Sequence, residues 1–434
     1  MDRSMWAVLT GTFTLRFSTG LTGAMLGVYL AKLPEHGGPS VDPSTLGILS
    51  ATFFISELLL SPLFGVLSDR LGHHRVMLFG PVFGAIAVIL TGLTTNLVLL
   101  GGTRLLEGAS TAASVPSILG YIALATAGNE VLRGKAAARF EGATLAGLGV
   151  GFAVAPLLFA RFGPVAFFLN ALVYGVSFLI YKFGVEDRDR DERTARSANA
   201  ESRMDFSRYR VLLRTSHVWL LAPTWIAVNA SIGVWFSQSI FQFSKADPRF
   251  PDQFLLHGFS PVQISLGAVV IGAIFGAGLL YWGNRFKVLR RTTIILYGIL
   301  GGGLLVAGGM VVNHGEGMPV IVPIVAAAAA AFGLFVLAGA TPAALGLLAD
   351  ISERFPTDRG AIMGLYSVFL AIGQIAGSLI GGFAAKWLGI DGLLIATLGL
   401  LLIALLPLAQ LRRQEYQVGA SDSAALPFDE PGAA

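Results

Sequence analysis

Five ionisable side chains, Arg16, Glu57, Arg104, Glu107 and Glu141, stand inside stretches of the sequence that are otherwise apolar or small. Arg104 and Glu107 are three residues apart and would share one face of a helix, where they can pair. Arg16 lies on a helical stripe with Thr12, Thr19 and Gly23, and Glu57 on one with Ser50, Phe54 and Ser61. A charge held in hydrocarbon costs about 2.5–3.5 kcal/mol on insertion scales, so these groups must face one another or an aqueous cavity. Three acids then meet two arginines. A carboxylate left unmatched in a low dielectric is relieved by binding a proton, which makes Glu57, Glu107 or Glu141 a candidate proton carrier. Without Glu141, which falls near the end of its apolar run, the charges balance and the set can instead be a fixed ion network.

The elements that must position these groups follow from composition. Hydrophobic residues make up 54% of the chain and charged residues 13%, against about 25% charged in soluble domains. Hydrocarbon is therefore the main solvent, and repeated apolar runs of about 20 residues must be helices, because no backbone group can stay unpaired there. Twelve such spans are expected, at 6–31, 45–66, 75–94, 97–124, 136–159, 164–183, 217–242, 262–283, 292–313, 319–348, 360–385 and 391–411. The fold class is all-α integral membrane. The first span has no small-residue cleavage site and is read as a retained helix. The chain has no cysteine, which excludes disulfides, thiolate metal sites and thiol catalysis. Its six histidines are scattered apart from His73 and His74, and no metal site is expected. The basic residues sit at helix ends and form no patch for nucleic acid.

Lys and Arg crowd the segments on the side of the chain termini, whereas the opposite side holds only Lys32, Arg161, Lys245, Arg249 and Lys386. The positive-inside rule then places both termini in the cytoplasm, in a multi-pass protein of the cell membrane. Glu186 to Ser216 alternates acids and arginines as a solvated linker. The expected organisation is an N-terminal six-helix bundle over 1–183, a cytoplasmic linker over 184–216, a C-terminal six-helix bundle over 217–413 and a disordered tail over 414–434. The halves echo one another: a shift of 226 residues lays Arg133, Gly134, Gly147, Gly151 and Gly163 on Arg359, Gly360, Gly373, Gly377 and Gly389. The C-terminal half has no charge deep in a span. Its candidate cavity residues are Trp225, Asn229, Phe236 and Gln238 in span seven and Tyr366 and Gln374 in span eleven, an apolar and aromatic surface facing the charged half.

Between spans two and three the chain reads Gly65, Val66, Leu67, Ser68, Asp69, Arg70, Leu71, Gly72, His73, His74, Arg75. This charged, glycine-bounded turn between two membrane-length helices resembles the loop 2/3 signature of the major facilitator superfamily. Arg104, Glu107, Gly108 and Ala112 resemble its span-four signature, with Glu for the commoner Gln. Gly142, Gly151, Ala155 and Pro156, with Gly147 between, are similar to the span-five motif of its drug/proton antiporters, from which Ala155, Phe159 and Ala160 depart. The resemblance covers essentially the whole chain. It implies two bundles rocking around a midplane site and proton-coupled export of lipophilic or amphiphilic small molecules, by a monomer of twelve helices that uses the proton gradient and no cofactor. A proton-driven uptake symporter for a sugar or other metabolite is the alternative. In such an architecture loop 2/3 lies beside the start of span eleven near Gly360, whose free amides would hold Asp69 as a latch. A membrane enzyme would need a cluster of acids or histidines at one face or a soluble insertion, and neither is present; nor is a nucleotide-binding loop.

Overall fold

The computed structural model describes residues 3–126, 129–187, 218–353 and 359–423. Within them the chain forms α1 (Arg3–Ala31), α2 (Pro43–Leu71), α3 (His73–Leu93), α4 (Leu97–Ala125), α5 (Glu130–Phe162) and α6 (Val165–Gly184). The second half supplies α7 (Val218–Ser244), α8 (Pro261–Gly283), α9 (Arg291–Asn313) and α10, which spans Ile321–Leu348 with a break after Leu337. The last helical stretch, Arg359–Ser423, is two helices in series, α11 (359–388) and α12 (390–423), parted at Gly389. The expected disorder from residue 414 meets a helix that continues to Ser423; residues beyond it, and the linker from 188 to 217, lie outside the described residues.

Local chemistry sets the helix ends. Asp42 caps α2 by accepting the Thr45 N–H at 2.8 Å, with Pro43 in the first turn. Asn96 caps α4, and Ser260 with Gln263 forms a reciprocal capping box on α8. Nine helical stretches among the described residues are long and apolar enough to cross a membrane, one of them, Ser367–Arg413, containing both α11 and α12. α1 and α7 complete the twelve helices. Each packs closely on a helix of its own half, α1 on α5 and α7 on α11.

The two halves repeat one another in backbone detail. Gly163, ending α5, has φ 55° and ψ −141°; Gly389, ending α11, has φ 62° and ψ −138°. A Cβ on Gly147 would meet Phe13 O, Arg16 Cβ and Phe17 N of α1, and one on Gly373 would meet Ile226 O, Asn229 Cβ and Ala230 N of α7. Gly151 packs on Phe17 and Leu21 as Gly377 packs on Ala230 and Val234. The pattern matches α5 to α11 and α1 to α7, and it makes Asn229 the positional counterpart of Arg16. Gly20 against Leu148 and Gly233 against Gln374 extend the same correspondence. Backbone contact of this closeness is open only to small residues.

Candidate functional site

Arg104 and Glu107 are buried on α4 and form the expected ion pair. The guanidinium also lies over the Phe53 ring of α2, 4.8 Å from its centroid. Neither group is fully satisfied: Arg104 Nε and Glu107 Oε1 are buried without a hydrogen-bond partner. Arg16, half-buried on α1, acts electrostatically on both Glu57 of α2 and Glu141 of α5, yet makes no ion pair within 4.0 Å among the described residues. Glu57 is half-buried and Glu141 exposed. With Arg104 and Glu107 neutralising each other, one guanidinium is left to two carboxylates that it does not touch. All five charges belong to the first half, and Asn229 stands where symmetry would place a second Arg16.

The described contacts between the two halves close one face of the space around these groups. On the face away from the termini, here the distal face, Lys386 Nζ of α11 lies 2.7 Å from Asp42 Oδ2 at the start of α2 and 3.5 Å from Ser44 Oγ. Gln238 Nε2 of α7 donates to Pro43 O at 3.1 Å. Gly47 of α2 packs against the backbone of Ser378 and Gly382, and Gly27 of α1 against Ile240 and Phe241. Phe152 of α5 and Phe236 of α7 stack across the divide with centroids 5.2 Å apart. The first half's hydrophobic core runs continuously into Ile240, Phe241 and Ile264 of the second half at this level. Burial pushes the Asp42 carboxyl up, but hydrogen bonds from Lys386, the Thr45 backbone and the Thr45 and Ser44 hydroxyls outweigh it and hold the group well below the usual carboxylate range.

On the proximal face, which carries loop 2/3, no hydrogen bond or ion pair joins the two halves among the described residues. The Asp69 side chain is 66% exposed and sits 3.9 Å from His73 Nε2. Loop 2/3 is instead fastened to its own half: Gly72 adopts φ 101°, Ser68 Oγ donates to Gly65 O, His73 Nδ1 lies 3.1 Å from Ser68 Oγ, and Arg75 Nε is 3.9 Å from Asp187. Arg70 is exposed. The side chains at the start of α11, where Asp69 is expected to dock, lie outside the described residues.

The remaining sequence candidates separate. Gly147 and Gly151 pack on α1 and Pro156 is buried within α5, whereas Gly142 is exposed with nothing near its Cβ position. Trp225 and Asn229 are buried in the second half, Asn229 Nδ2 donating to Trp225 O at 2.9 Å. Gln374 is buried against Asn229, and Gln238 belongs to the distal closure. Phe236 is 43% exposed, and the Tyr366 side chain lies outside the described residues. Sequence reasoning missed Asp42, Lys386 and Phe152. The only trace of the first two was opposite charge on one side of the membrane, at positions 344 apart in the chain.

A helical membrane protein of twelve spans in two repeated halves, closed on one face around a charged midplane, has the architecture of a membrane transporter. The chain belongs to the Major Facilitator Superfamily, whose family model matches residues 8–246 and 248–428. It is 26% identical over 352 residues to Multidrug resistance protein 2 of Bacillus subtilis (strain 168), covering 78% of this chain and 79% of the relative. It is 23% identical over 313 residues to Quinolone resistance protein NorA of Staphylococcus aureus (strain MSSA476), covering 69% and 71%. Among solved structures, the nucleoside transporter NupG superposes with a TM-score of 0.68 at 15% identity, over 94% of this chain and 98% of that one. A peptide transporter POT variant in complex with sulfate gives 0.68 at 14% identity, over 95% of each chain. The protein is thus a multi-pass membrane transporter of small molecules.

Proposed function

We propose that the protein exports lipophilic or amphiphilic small molecules in exchange for protons, by alternating access between the conformation described here and one open on the distal face. The observation that carries this reading is the asymmetry of the midplane. Among the described residues Arg16, Glu57 and Glu141 make no ion pair, in a first half that faces a neutral, partly aromatic second half, and the distal face above them is shut. A substrate entering from the proximal side meets acidic groups and apolar walls, which suits amphiphilic cations and lipophilic molecules. The names of the two sequence relatives, a multidrug and a quinolone resistance protein, support the same choice.

In this reading the proximal face is cytoplasmic, as the Lys and Arg distribution implies, and both termini lie inside. The protein works as a monomer on the proton gradient alone. Glu57 and Glu141 alternate between a proton and the substrate; Arg16, equidistant in role between them, releases whichever carboxylate is protonated. Arg104 and Glu107 remain paired and shape the wall.

Everted vesicles test the proposal. Substrate accumulation should follow an inward-acid gradient and collapse with an uncoupler, and Glu57→Gln or Glu141→Gln should abolish the gradient dependence in at least one case. Accumulation by right-side-out vesicles under an outside-acid gradient would establish the uptake symporter instead. Retention of full gradient dependence in both Gln variants would remove these acids from proton coupling.

A further inference from the structure

On the distal face the segment 245–259, which joins α7 to α8, lies across the turn between α11 and α12. Arg249 Nη1 donates to Lys386 O at 3.3 Å, and Gln253 Nε2 donates to Leu388 O at 2.9 Å. Gln253 Oε1 accepts the Ile390 N–H at 2.8 Å, and the Leu255 N–H donates to Asn313 Oδ1 at 3.1 Å. Two histidines close this strap. His314, at the end of α9, has Nε2 2.8 Å from Asp391 Oδ2 and Nδ1 3.4 Å from Asp252 Oδ2. His257 has Nδ1 3.2 Å from Glu316 Oε1 and Nε2 3.2 Å from Pro251 O.

Each ring therefore presents both nitrogens to acceptors. A neutral imidazole has one donor and one lone pair, so only the protonated ring can donate on both sides. A neutral His314 would turn a lone pair toward a carboxylate. The groups do not form a metal site: no set of three His, Cys, Asp or Glu among the described residues is gathered around one point, and the two carboxylates at His314 lie on opposite edges of the ring. The other charges around the strap are Lys245, Asp247, Arg249 and Lys386. Arg249 is taken up by Asp247 at 2.6 Å and Lys386 by Asp42 at 2.7 Å. The end of α9 and the start of α12 favour the cation and the anion respectively.

We propose that His314, assisted by His257, is a proton-dependent clasp on the distal gate. With both rings charged, the strap is fastened to the α11–α12 turn, which carries Lys386 and aims it at Asp42, and the distal face stays shut. Loss of the protons leaves one side of each ring repelled, frees the turn and eases opening. The clasp reads the pH of the distal compartment, outside the cell in the reading above, on which it rests.

The absence of cysteine from the native chain makes the test direct. Spin labels at Glu35→Cys and Val320→Cys, on exposed distal positions of the two halves, report the separation of that face in the full-length protein reconstituted in liposomes. Between about pH 5 and pH 8, where imidazoles change charge, the long-distance population of the otherwise native chain should rise roughly fivefold, the lower end of typical coupling. His314→Gln should remove most of that response and His257→Gln/His314→Gln all of it. Should His314→Gln fold poorly, Asp391→Asn and Asp252→Asn keep the ring but remove its partners, and should blunt the response as well. Lys386→Gln should raise the long-distance population at every pH. A pH response of full size in the double histidine variant would overturn the clasp while leaving alternating access intact. One short distance in every variant at every pH would overturn both.

Discussion

At the scale of single residues, burial decides what each charge can be used for. Arg104 and Glu107 pair within one helix, so the sequence alone could find them, and their burial makes the pair indivisible. Arg104→Met leaves Glu107 alone in a low dielectric and should cost about 3–5 kcal/mol of stability, read as a lowered thermal midpoint in detergent. The Asp42–Lys386 pair is different. Its side chains are 39% and 41% exposed, so solvent screens the interaction to about 1 kcal/mol or less. Because the Asp42 carboxyl is held below its ordinary value, the contribution is complete above the unfolded carboxylate value and is lost only as pH falls through the lower folded one. Between about pH 5 and 8 the pair therefore does not titrate, and Asp42→Asn should open the distal face by a few-fold, equally at both ends of that interval. A distal opening in Asp42→Asn that grows strongly with acid would contradict this sign. Neither partner was legible beforehand, since nothing local to Asp42 or Lys386 points to the other.

At the scale of elements, small residues decide which helices cross closely. The 226-residue echo was visible as paired glycines, and the structure gives it a cause: Gly147 and Gly151 let α5 touch the α1 backbone, and Gly373 and Gly377 do the same for α11 on α7. Gly151→Leu and Gly377→Leu should each destabilise by about 1–3 kcal/mol through overpacking, with similar losses because the contacts are symmetric. Gly142→Ala, where nothing lies within 4 Å, should be neutral in the same thermal measurement. Unequal losses at Gly151 and Gly377 would argue that the two crossings are not equivalent. The stripe Trp225, Asn229, Phe236 had the right period for a cavity face, yet period cannot say whether a face meets water or a neighbour. Trp225 and Asn229 meet α11 and the core, and Phe236 alone of the three is left half in the open.

At the scale of the whole molecule, the described contacts join the two halves at the distal face, and among the described residues Asp69 meets His73 of its own half and no group across the divide. Asp69→Asn should accordingly leave the thermal midpoint of this conformation unchanged while slowing turnover several-fold, as the loss of about 1 kcal/mol from the alternative state would do. A lowered midpoint with normal turnover would make Asp69 a helix terminator. What the sequence by itself determined is the solvent, the number and place of the spans, the family-like turn at Gly65 to Arg75, and the confinement of interior charge to the first half. Those follow from transfer free energies and from patterns within a few turns of chain. The tertiary structure alone decided which face the described contacts close, that Lys386 meets Asp42, that Phe152 stacks on Phe236, and that Arg16 acts on two acids without an ion pair to either among the described residues. Each of these depends on how two six-helix halves are docked, and docking is a balance of weak contacts between segments hundreds of residues apart, for which no local pattern in the chain carries a sign.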